Sequence, residues 1–160
     1  MGVSGTGKTT VAKLFAEKSG AAFYEGDDFH PPANIEKMRQ GIPLTDEDRQ
    51  SWLRALREII VRSLAKKELS AITCSALKAK YREKLQGGQS NDGRVRFIFL
   101  TGPRELIEER LKNRRGHFMP TTLLGSQLAT LEPPADALNF SIEKSPEEIV
   151  AELIQALAAG

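Results

Sequence analysis

Gly2-Val3-Ser4-Gly5-Thr6-Gly7-Lys8-Thr9 stands near the start of the sequence and matches G-x-x-x-x-G-K-[ST] at every defined position. A helical pattern follows it directly, formed by Val11, Ala12, Leu14 and Phe15. The glycines allow successive backbone N–H groups to turn inward onto phosphate oxygens, and the N-terminus of the helix adds a positive dipole. A chance glycine-rich turn is the alternative, but the helix behind the stretch favours a phosphate-binding loop.

The polar side chains of such a loop have expected tasks. Lys8 can bridge the β- and γ-phosphates of a nucleoside triphosphate, and Thr9 can ligate Mg²⁺. We therefore predict that Gly2–Thr9 binds ATP together with magnesium. The motif does not identify the acceptor, because ATPases, GTPases and small-molecule kinases all use it.

The composition limits the classes of partner. The 160 residues contain 23 Lys plus Arg and 21 Asp plus Glu, and a net charge of +2 gives no broad positive surface for nucleic acid or an anionic membrane. The single cysteine, Cys74, excludes an internal disulfide, and no apolar run approaches the roughly 18 residues of a membrane span. No signal-like segment opens the chain. These features predict one cytoplasmic domain over residues 1–160.

Short apolar runs alternate with longer segments of helical period. The runs predict four strands, Ala21–Tyr24, Ser70–Ser75, Arg96–Thr101 and Leu138–Ile142. One helix is predicted from about Asp46 to Lys66, with Thr45 and Asp48 as a capping box, and another begins after Ser145 with Pro146 at its first position. The alternation predicts an α/β fold of three layers, α/β/α, around a parallel sheet.

The position of the glycine-rich loop raises one expectation about the sheet. A phosphate-binding loop normally follows a buried strand, yet only Met1 precedes Gly2. We expect that the first, central strand is missing from this chain, which would leave the neighbouring strands with unpaired edges.

Acidic residues follow the first predicted strand. Glu25, Asp27 and Asp28 come just after Tyr24, at the end of a parallel strand where open α/β sheets bind ligands. A carboxylate at that place can accept the proton of an attacking hydroxyl or hold magnesium through water. The alternative is that these residues only form a turn. His30 taken alone would more often be structural than functional.

At this point the chain resembles a known family, the gluconokinases. The resemblance lies in Gly2–Thr9 and in blocks that follow in family order: Gly26-Asp27-x-x-His30-Pro31, Asn34-Ile35-Glu36-Lys37-Met38, Gly41-Ile42-Pro43-Leu44-Thr45-Asp46-x-Asp48-Arg49-x-x-Trp52-Leu53, Cys74-Ser75-Ala76-Leu77-Lys78-x-x-Tyr81-Arg82 and Gly116-His117-Phe118-Met119. The last two blocks separate the pattern from shikimate and adenylate kinases. The resemblance implies phosphorylation of D-gluconate at its 6-hydroxyl by ATP with magnesium, giving 6-phosphogluconate in carbohydrate metabolism. It also implies a P-loop kinase domain with a substrate-binding helical region at about 32–66, a lid at about 110–131 and a homodimer.

The resemblance suggests roles for particular side chains. Asp27 corresponds to the carboxylate that binds and deprotonates the acceptor hydroxyl, and the residues expected to hold the sugar acid are His30, Arg49, Lys78 and Arg82. A carboxylate substrate needs a cation, and the planar fork of arginine meets it with two hydrogen bonds. The alternative for Arg49 is an exposed helix face. Trp52 and Cys74 are predicted to be buried core residues.

Arginines in the predicted lid are expected to reach the phosphates. Arg110 and Arg114 lie four residues apart on one helix face, so we predict that both contact phosphate and that Arg114 also takes part in catalysis. The alternative is a basic helix end that complements its own dipole, which also applies to Arg115. Gln127, Thr130, Leu131 and Glu132 fit the family pattern without an assigned role, and Glu25 stands where relatives often have aspartate.

Two rival functions stay open from the sequence. One is a kinase for another hydroxy acid, such as shikimate. The other is a regulator that binds ATP without catalysis, against which the intact Lys8, Thr9 and Asp27 argue.

Overall fold

The computed structural model describes residues 1–87, 93–113 and 123–159. Its helices are α1 Lys8–Ser19, α2 Pro32–Arg39, α3 Asp48–Lys66, α4 Ala79–Gln86, α5 Arg104–Asn113, α6 Leu123–Thr130 and α7 Pro146–Ala158. Its strands are β1 Ala22–Tyr24, β2 Ser70–Ile72, β3 Ile98–Thr101 and β4 Leu138–Ser141, and a short 3₁₀ helix spans Gly26–Phe29. All four predicted strands are present, and the region 32–66 forms the helical pair α2 and α3.

The described strands form two parallel pairs, which confirms the predicted parallel sheet. β1 pairs with β2, and β3 pairs with β4. β2 is shorter than the predicted Ser70–Ser75 because its partner ends first: the chain after Tyr24 enters the 3₁₀ helix. The last backbone bond of the pair runs from the Thr73 N–H to the Tyr24 carbonyl (3.0 Å).

Met1 and Gly2 lie between the two strand pairs. The Met1 amino group donates to the Ile98 carbonyl, and the Leu100 N–H donates to the Met1 carbonyl (3.0 Å). On the other side the Gly2 N–H donates to the Ser75 carbonyl (3.2 Å). No strand of the described residues lies between β2 and β3, and an apolar cavity of about 260 Å³ separates them. The two residues thereby place the glycine-rich loop where β2 and β3 end.

Helices cover both faces of the strands, as a three-layer α/β/α fold requires. One core joins α1, α5 and α7 and includes Ala71 of β2, whereas a second core joins α3 and α4 and includes the next residue, Ile72. Because successive side chains of a strand point to opposite faces, the two cores lie on opposite sides. Trp52 is 1% exposed and lies in the second core, as predicted. Cys74 is buried there too, and burial raises the pKa of its thiol to about 12.

The predicted capping residues are found at α7 and near α3, but α3 begins two residues later than predicted. Ser145 and Glu148 form the reciprocal capping box of α7, with Pro146 in the first turn. Thr45 and Asp48 also exchange backbone-to-side-chain bonds (2.9 and 3.1 Å), but α3 begins at Asp48 rather than at the predicted Asp46. The turn between them is irregular because the Gln50 N–H donates three residues back, to Glu47.

Candidate active site

The backbone of the glycine-rich loop forms a cradle at the start of α1. Gly5 and Gly7 have φ angles of 88° and 83°, in the left-handed region that favours glycine. A Cβ atom on Gly2 would lie 2.5 Å from the Leu100 carbonyl oxygen, so the loop can approach β3 this closely only with glycine. The Thr6 hydroxyl donates to the Val3 carbonyl (2.9 Å) and braces the turn from inside. The predicted phosphate-binding loop therefore has the conformation that its motif requires.

A cavity of about 320 Å³ opens over this cradle, and we call it the nucleotide cavity. It is lined by residues 4–11 and by Glu25, Asp27, Arg110, Lys144, Pro146 and Ile149. Lys8 lies on its wall and donates to the Val3 carbonyl (2.9 Å). The loop amides, the N-terminus of α1 and the cations around the cavity suit an anion such as a triphosphate.

Oxygen donors meet at the first turn of α1. The Thr9 hydroxyl donates to Glu25 Oε2 (2.6 Å), and the Thr73 hydroxyl donates to the other oxygen of the same carboxylate. The Gly26 N–H in turn donates to the Thr73 hydroxyl (2.8 Å). Hydroxyl and carboxylate oxygens are the ligands that Mg²⁺ takes in nucleotide sites, where phosphate and water complete its shell. Thr9 and Glu25 therefore fit a magnesium ion, although no cluster of three or more His, Cys, Asp or Glu side chains with metal-site geometry occurs within 1–87, 93–113 and 123–159.

Asp27 lies on the 3₁₀ helix that follows β1, between two cavities. It lines the nucleotide cavity and also a smaller cavity of about 80 Å³. The 3₁₀ helix that carries Asp27 is held by α3, because the Trp52 indole N–H donates to the Gly26 carbonyl (2.7 Å). Trp52 is thus more than core: it holds the residue next to Asp27 and lines the smaller cavity.

The smaller cavity, which we call the acceptor cavity, brings several predicted residues together. It shares Ser4, Lys8 and Asp27 with the nucleotide cavity. Its other walls come from His30, Met38, Pro43, Leu44, Arg49, Trp52, Ser75, Leu77, Leu123, Ser126, Gln127 and Thr130. A molecule held there would lie beside Asp27 and beside Ser4 and Lys8 of the glycine-rich loop.

His30 forms a neutral wall of the acceptor cavity. Its ring stacks on Trp52 with 4.2 Å between ring centroids and 15° between planes, and its Nδ1 lies 3.4 Å from the Asn34 amide nitrogen. Burial, with the positive charge of Arg49 as a second cause, lowers its pKa from 6.5 to about 4. At neutral pH His30 therefore offers hydrogen bonds to a hydroxyl rather than a positive charge to a carboxylate.

Arg49 supplies the charge of this cavity. It is half-buried, and its guanidinium donates to the Leu44 carbonyl and to the Tyr81 hydroxyl (3.4 Å). The same group lies 5.5 Å from the centroid of the Tyr81 ring. These contacts keep Arg49 against the cavity wall, whereas the sequence had left a fully exposed helix face as the alternative.

Lys78 and Arg82 lie away from the described lining of the acceptor cavity. Lys78 pairs with Asp46 (3.0 Å), which also accepts from Lys80 and from the Tyr81 hydroxyl, and these contacts hold the pKa of Asp46 well below its usual range. Arg82 is 7% exposed and donates to the Ala76 and Leu77 carbonyls (2.9 and 3.3 Å). It thereby fixes the loop after β2, in which Ala76 has a φ of 45°.

Of the predicted lid arginines, Arg110 lies within the described residues. Arg110 lines the nucleotide cavity and donates to the Ile142 carbonyl (2.7 Å), with one guanidinium nitrogen 3.8 Å from where a Cβ of Gly7 would lie. Arg114 and Arg115 lie outside the described residues, as does the Gly116–Met119 block.

Two side chains at the site had no role assigned from the sequence. Gln127 of α6 accepts a hydrogen bond from the Ser4 N–H (2.7 Å) and lines the acceptor cavity. Lys144 lines the nucleotide cavity while paired with Glu152 (2.6 Å). The signal for α6 was present in the spacing of Leu123, Gln127 and Thr130, which lie on one helix face.

Comparison with known proteins agrees with this geometry. A family model described as AAA domain matches residues 1–134. A gluconokinase of Gluconobacter oxydans is 46% identical over 99% of this chain and 89% of its own length. A crystal structure of a gluconokinase from Sinorhizobium meliloti superposes with a TM-score of 0.86 at 46% identity, over 99% of this chain and 89% of that one. An unliganded sugar kinase from Janibacter superposes with a TM-score of 0.89 at 45% identity, over 99% and 91%.

These relatives cover almost the whole chain at an identity that shows the family. The glycine-rich loop, the carboxylate at the end of β1 and the second cavity beside it lie on the fold that they share. The chain belongs to the gluconokinase family of P-loop kinases.

Proposed function

We propose that this protein transfers the γ-phosphoryl group of ATP to the 6-hydroxyl of D-gluconate, giving 6-phospho-D-gluconate and ADP. The observation that carries the proposal is the pair of cavities that share Ser4, Lys8 and Asp27. Phosphoryl transfer needs a donor and an acceptor on opposite sides of one phosphorus atom. A shared wall with a lysine and a carboxylate meets that requirement.

Each side chain of the shared wall has a task in the transfer. Asp27 accepts the proton of the acceptor hydroxyl as its oxygen attacks the phosphorus. Lys8 and the loop amides neutralise the charge of the transferring phosphoryl group, and we expect Arg110 and Arg114 to share in this neutralisation. The balance is simple: the bond from the γ-phosphorus to the bridging oxygen breaks, the new ester bond forms, and the proton leaves through Asp27.

Thr9 and Glu25 are the residues that would hold magnesium, as the oxygen donors at the first turn of α1. The ion, when bound, draws negative charge from the phosphate oxygens. Glu25 also accepts from the Thr73 hydroxyl, so residues of this chain hold its carboxylate.

The acceptor cavity suits a sugar acid. Arg49 provides the cation for a carboxylate, and neutral His30 provides hydrogen bonds for hydroxyls. Lys78 and Arg82 stay proposals as substrate ligands. To bind the substrate carboxylate, Lys78 would have to release its present partner, Asp46.

The family resemblance alone supports our further proposals of a single domain over residues 1–160, a substrate-binding region at about 32–66, a lid at about 110–131, a homodimer, a cytoplasmic location and a place in pentose phosphate metabolism. No helix of the described ranges is long and apolar enough to cross a membrane.

The test is ADP production by the purified protein with D-gluconate and with a panel of other hydroxy acids that includes shikimate. We expect gluconate to give the highest kcat/KM. A higher kcat/KM for shikimate would contradict the substrate, and ATP binding without ADP release on any acid would favour a non-catalytic regulator.

A further inference from the structure

Three apolar side chains form one part of the acceptor cavity. Met38 of α2, Leu44 of the loop after α2 and Leu123 of α6 are buried and pack together as a small cluster of their own. All three line the acceptor cavity, and none of them lines the nucleotide cavity. We call this cluster the apolar wall. It faces the acceptor rather than the nucleotide.

The apolar wall lies beside the cation of the cavity. The Arg49 guanidinium donates to the Leu44 carbonyl, so the side chain that would hold the acceptor carboxylate is bonded to a residue of the wall. Asp27, by contrast, belongs to the lining that the two cavities share. If the function proposed above is right, on which this inference rests, the carboxylate of the acceptor lies next to the apolar wall and its reacting hydroxyl lies at Asp27.

The chemistry of the apolar wall disfavours a longer acceptor. An acceptor whose reacting hydroxyl lies at Asp27 must place any additional carbon of its carboxylate end against the wall. Packed apolar side chains resist an added group, and a hydroxyl on that carbon would lose its hydrogen bonds to water there. The wall therefore acts on the length of the acceptor and leaves the reacting end unchanged.

We propose that Met38, Leu44 and Leu123 are specificity-determining residues that set the chain length of the acceptor. They admit a six-carbon sugar acid and exclude acids that are longer at the carboxylate end. The cluster joins α2 and the loop after it to α6, so the limit depends on the packing of the substrate-binding region against α6.

The experiment compares two acceptors that share the reacting end. D-glycero-D-gulo-heptonate repeats the carbon chain of D-gluconate from the terminal hydroxyl and has one more CHOH unit next to the carboxylate. Wild type, Met38→Ala and Leu123→Val are each measured with both acids, and the readouts are kcat and KM. Alanine lacks the Cγ, Sδ and Cε atoms of methionine and so leaves room for the added unit, whereas valine at position 123 leaves a smaller space.

We expect kcat/KM of wild type to be about 100-fold lower for the heptonate than for gluconate, within the range by which an apolar pocket discriminates one added group. In Met38→Ala the ratio should fall to about tenfold or less, and kcat/KM for the heptonate should exceed that of wild type. Leu123→Val should lower the ratio about threefold, and it carries the test if Met38→Ala does not fold. Loss of folded protein would lower both activities and could not produce this gain.

The control is Leu85→Ala, a buried position of α4 that packs in the second core and lines neither the acceptor cavity nor the nucleotide cavity. It should lower the melting temperature as Met38→Ala does but keep the wild-type ratio. Equal kcat/KM for the two acids in wild type, or an unchanged ratio in both wall variants, overturns the chain-length limit while the proposed function stands. If wild type does not phosphorylate gluconate, the proposed function itself fails.

Discussion

The nucleotide cavity and the acceptor cavity share a wall but are built in different ways. Residues 4–11, one uninterrupted stretch, form most of the nucleotide cavity, and its shape depends on backbone conformation at glycines. The acceptor cavity takes its lining side chains from the 3₁₀ helix, from α2, α3 and α6, and from the loops after α2 and β2. The first cavity is therefore local in sequence, whereas the second exists only once distant segments have packed.

This difference predicts how each cavity responds to substitution. A change in the loop should act on ATP through the backbone, largely without regard to the acceptor. A change in the acceptor cavity should act on one substrate through one side chain. A change in the shared wall should affect the chemical step most strongly.

The largest effect is expected at the shared wall. Asp27→Asn removes the proton acceptor but keeps the shape, so kcat should fall about 10²–10⁴-fold. The Kd for ATP should change little, because asparagine has nearly the same size and shape as aspartate. Steady-state kinetics and ATP titration measure the two quantities. A kcat near that of wild type would rule out Asp27 as the base. It would also contradict the idea that residues shared by both cavities matter most for the chemical step.

The next prediction compares a glycine of the phosphate-binding loop with a glycine that has a similar φ angle outside the loop. Gly7 and Gly20 both have left-handed φ angles, 83° and 72°, and an added Cβ would lie no closer than 3.8 Å to another residue at Gly7 and would meet nothing within 4 Å at Gly20. Gly7→Ala and Gly20→Ala should each lose about 1–2 kcal/mol of stability, measured by urea unfolding. Only Gly7→Ala should weaken ATP binding, by about tenfold, which corresponds to about 1.4 kcal/mol.

Equal ATP affinity in these two variants would contradict the cradle. It would mean that the loop tolerates the strain without a change in how its amides are presented.

A smaller and more selective effect is expected in the acceptor cavity. Arg49→Lys keeps the charge but loses the planar fork, so the KM for gluconate should rise about tenfold while the KM for ATP stays unchanged. Arg54→Lys on the exposed face of the same helix is the matched control and should leave both values unchanged. An equal rise in both KM values would show that the two cavities are not separable.

The smallest effect concerns pH. The folded-state pKa of His30 is lowered to about 4 from 6.5, so the unfolded chain binds the proton first as the pH falls. The stabilising effect is complete above pH 6.5 and is lost between pH 6.5 and 4, by on the order of 3 kcal/mol at about 1.4 kcal/mol per pKa unit. Urea unfolding at several pH values should show this slope in wild type and a reduced slope in His30→Gln. Identical slopes would contradict the buried neutral ring.

The same contrast explains what could be predicted from the sequence. The loop, the strands and the cap of α7 depend on short-range patterns, so the motif and the apolar periodicity were enough. The neutrality of His30 was not predictable, because it depends on the stack with Trp52, which lies 22 positions further along the chain.

The basic residues that the family pattern treats alike have different contacts in the structure. Lys78 is engaged by Asp46, and Arg82 by the Ala76 and Leu77 carbonyls, while Arg49 reaches the acceptor cavity. Arg49, Lys78 and Arg82 are all basic residues that were predicted to hold the sugar acid. The contacts of Lys78 with Asp46 and of Arg49 with Tyr81 each join residues 32 positions apart, which no local pattern encodes.

The burial of Cys74 means that labelling of its thiol can be used to measure opening of the core. Alkylating reagents attack the thiolate, and a thiol shielded from solvent with a pKa of about 12 offers almost none at neutral pH. Labelling of this lone thiol therefore requires the surrounding core to open. Because Cys74 stands between Thr73, which contacts Glu25, and Ser75, which lines the acceptor cavity, its labelling rate in the presence of ATP or gluconate records how much each ligand tightens the centre of the molecule.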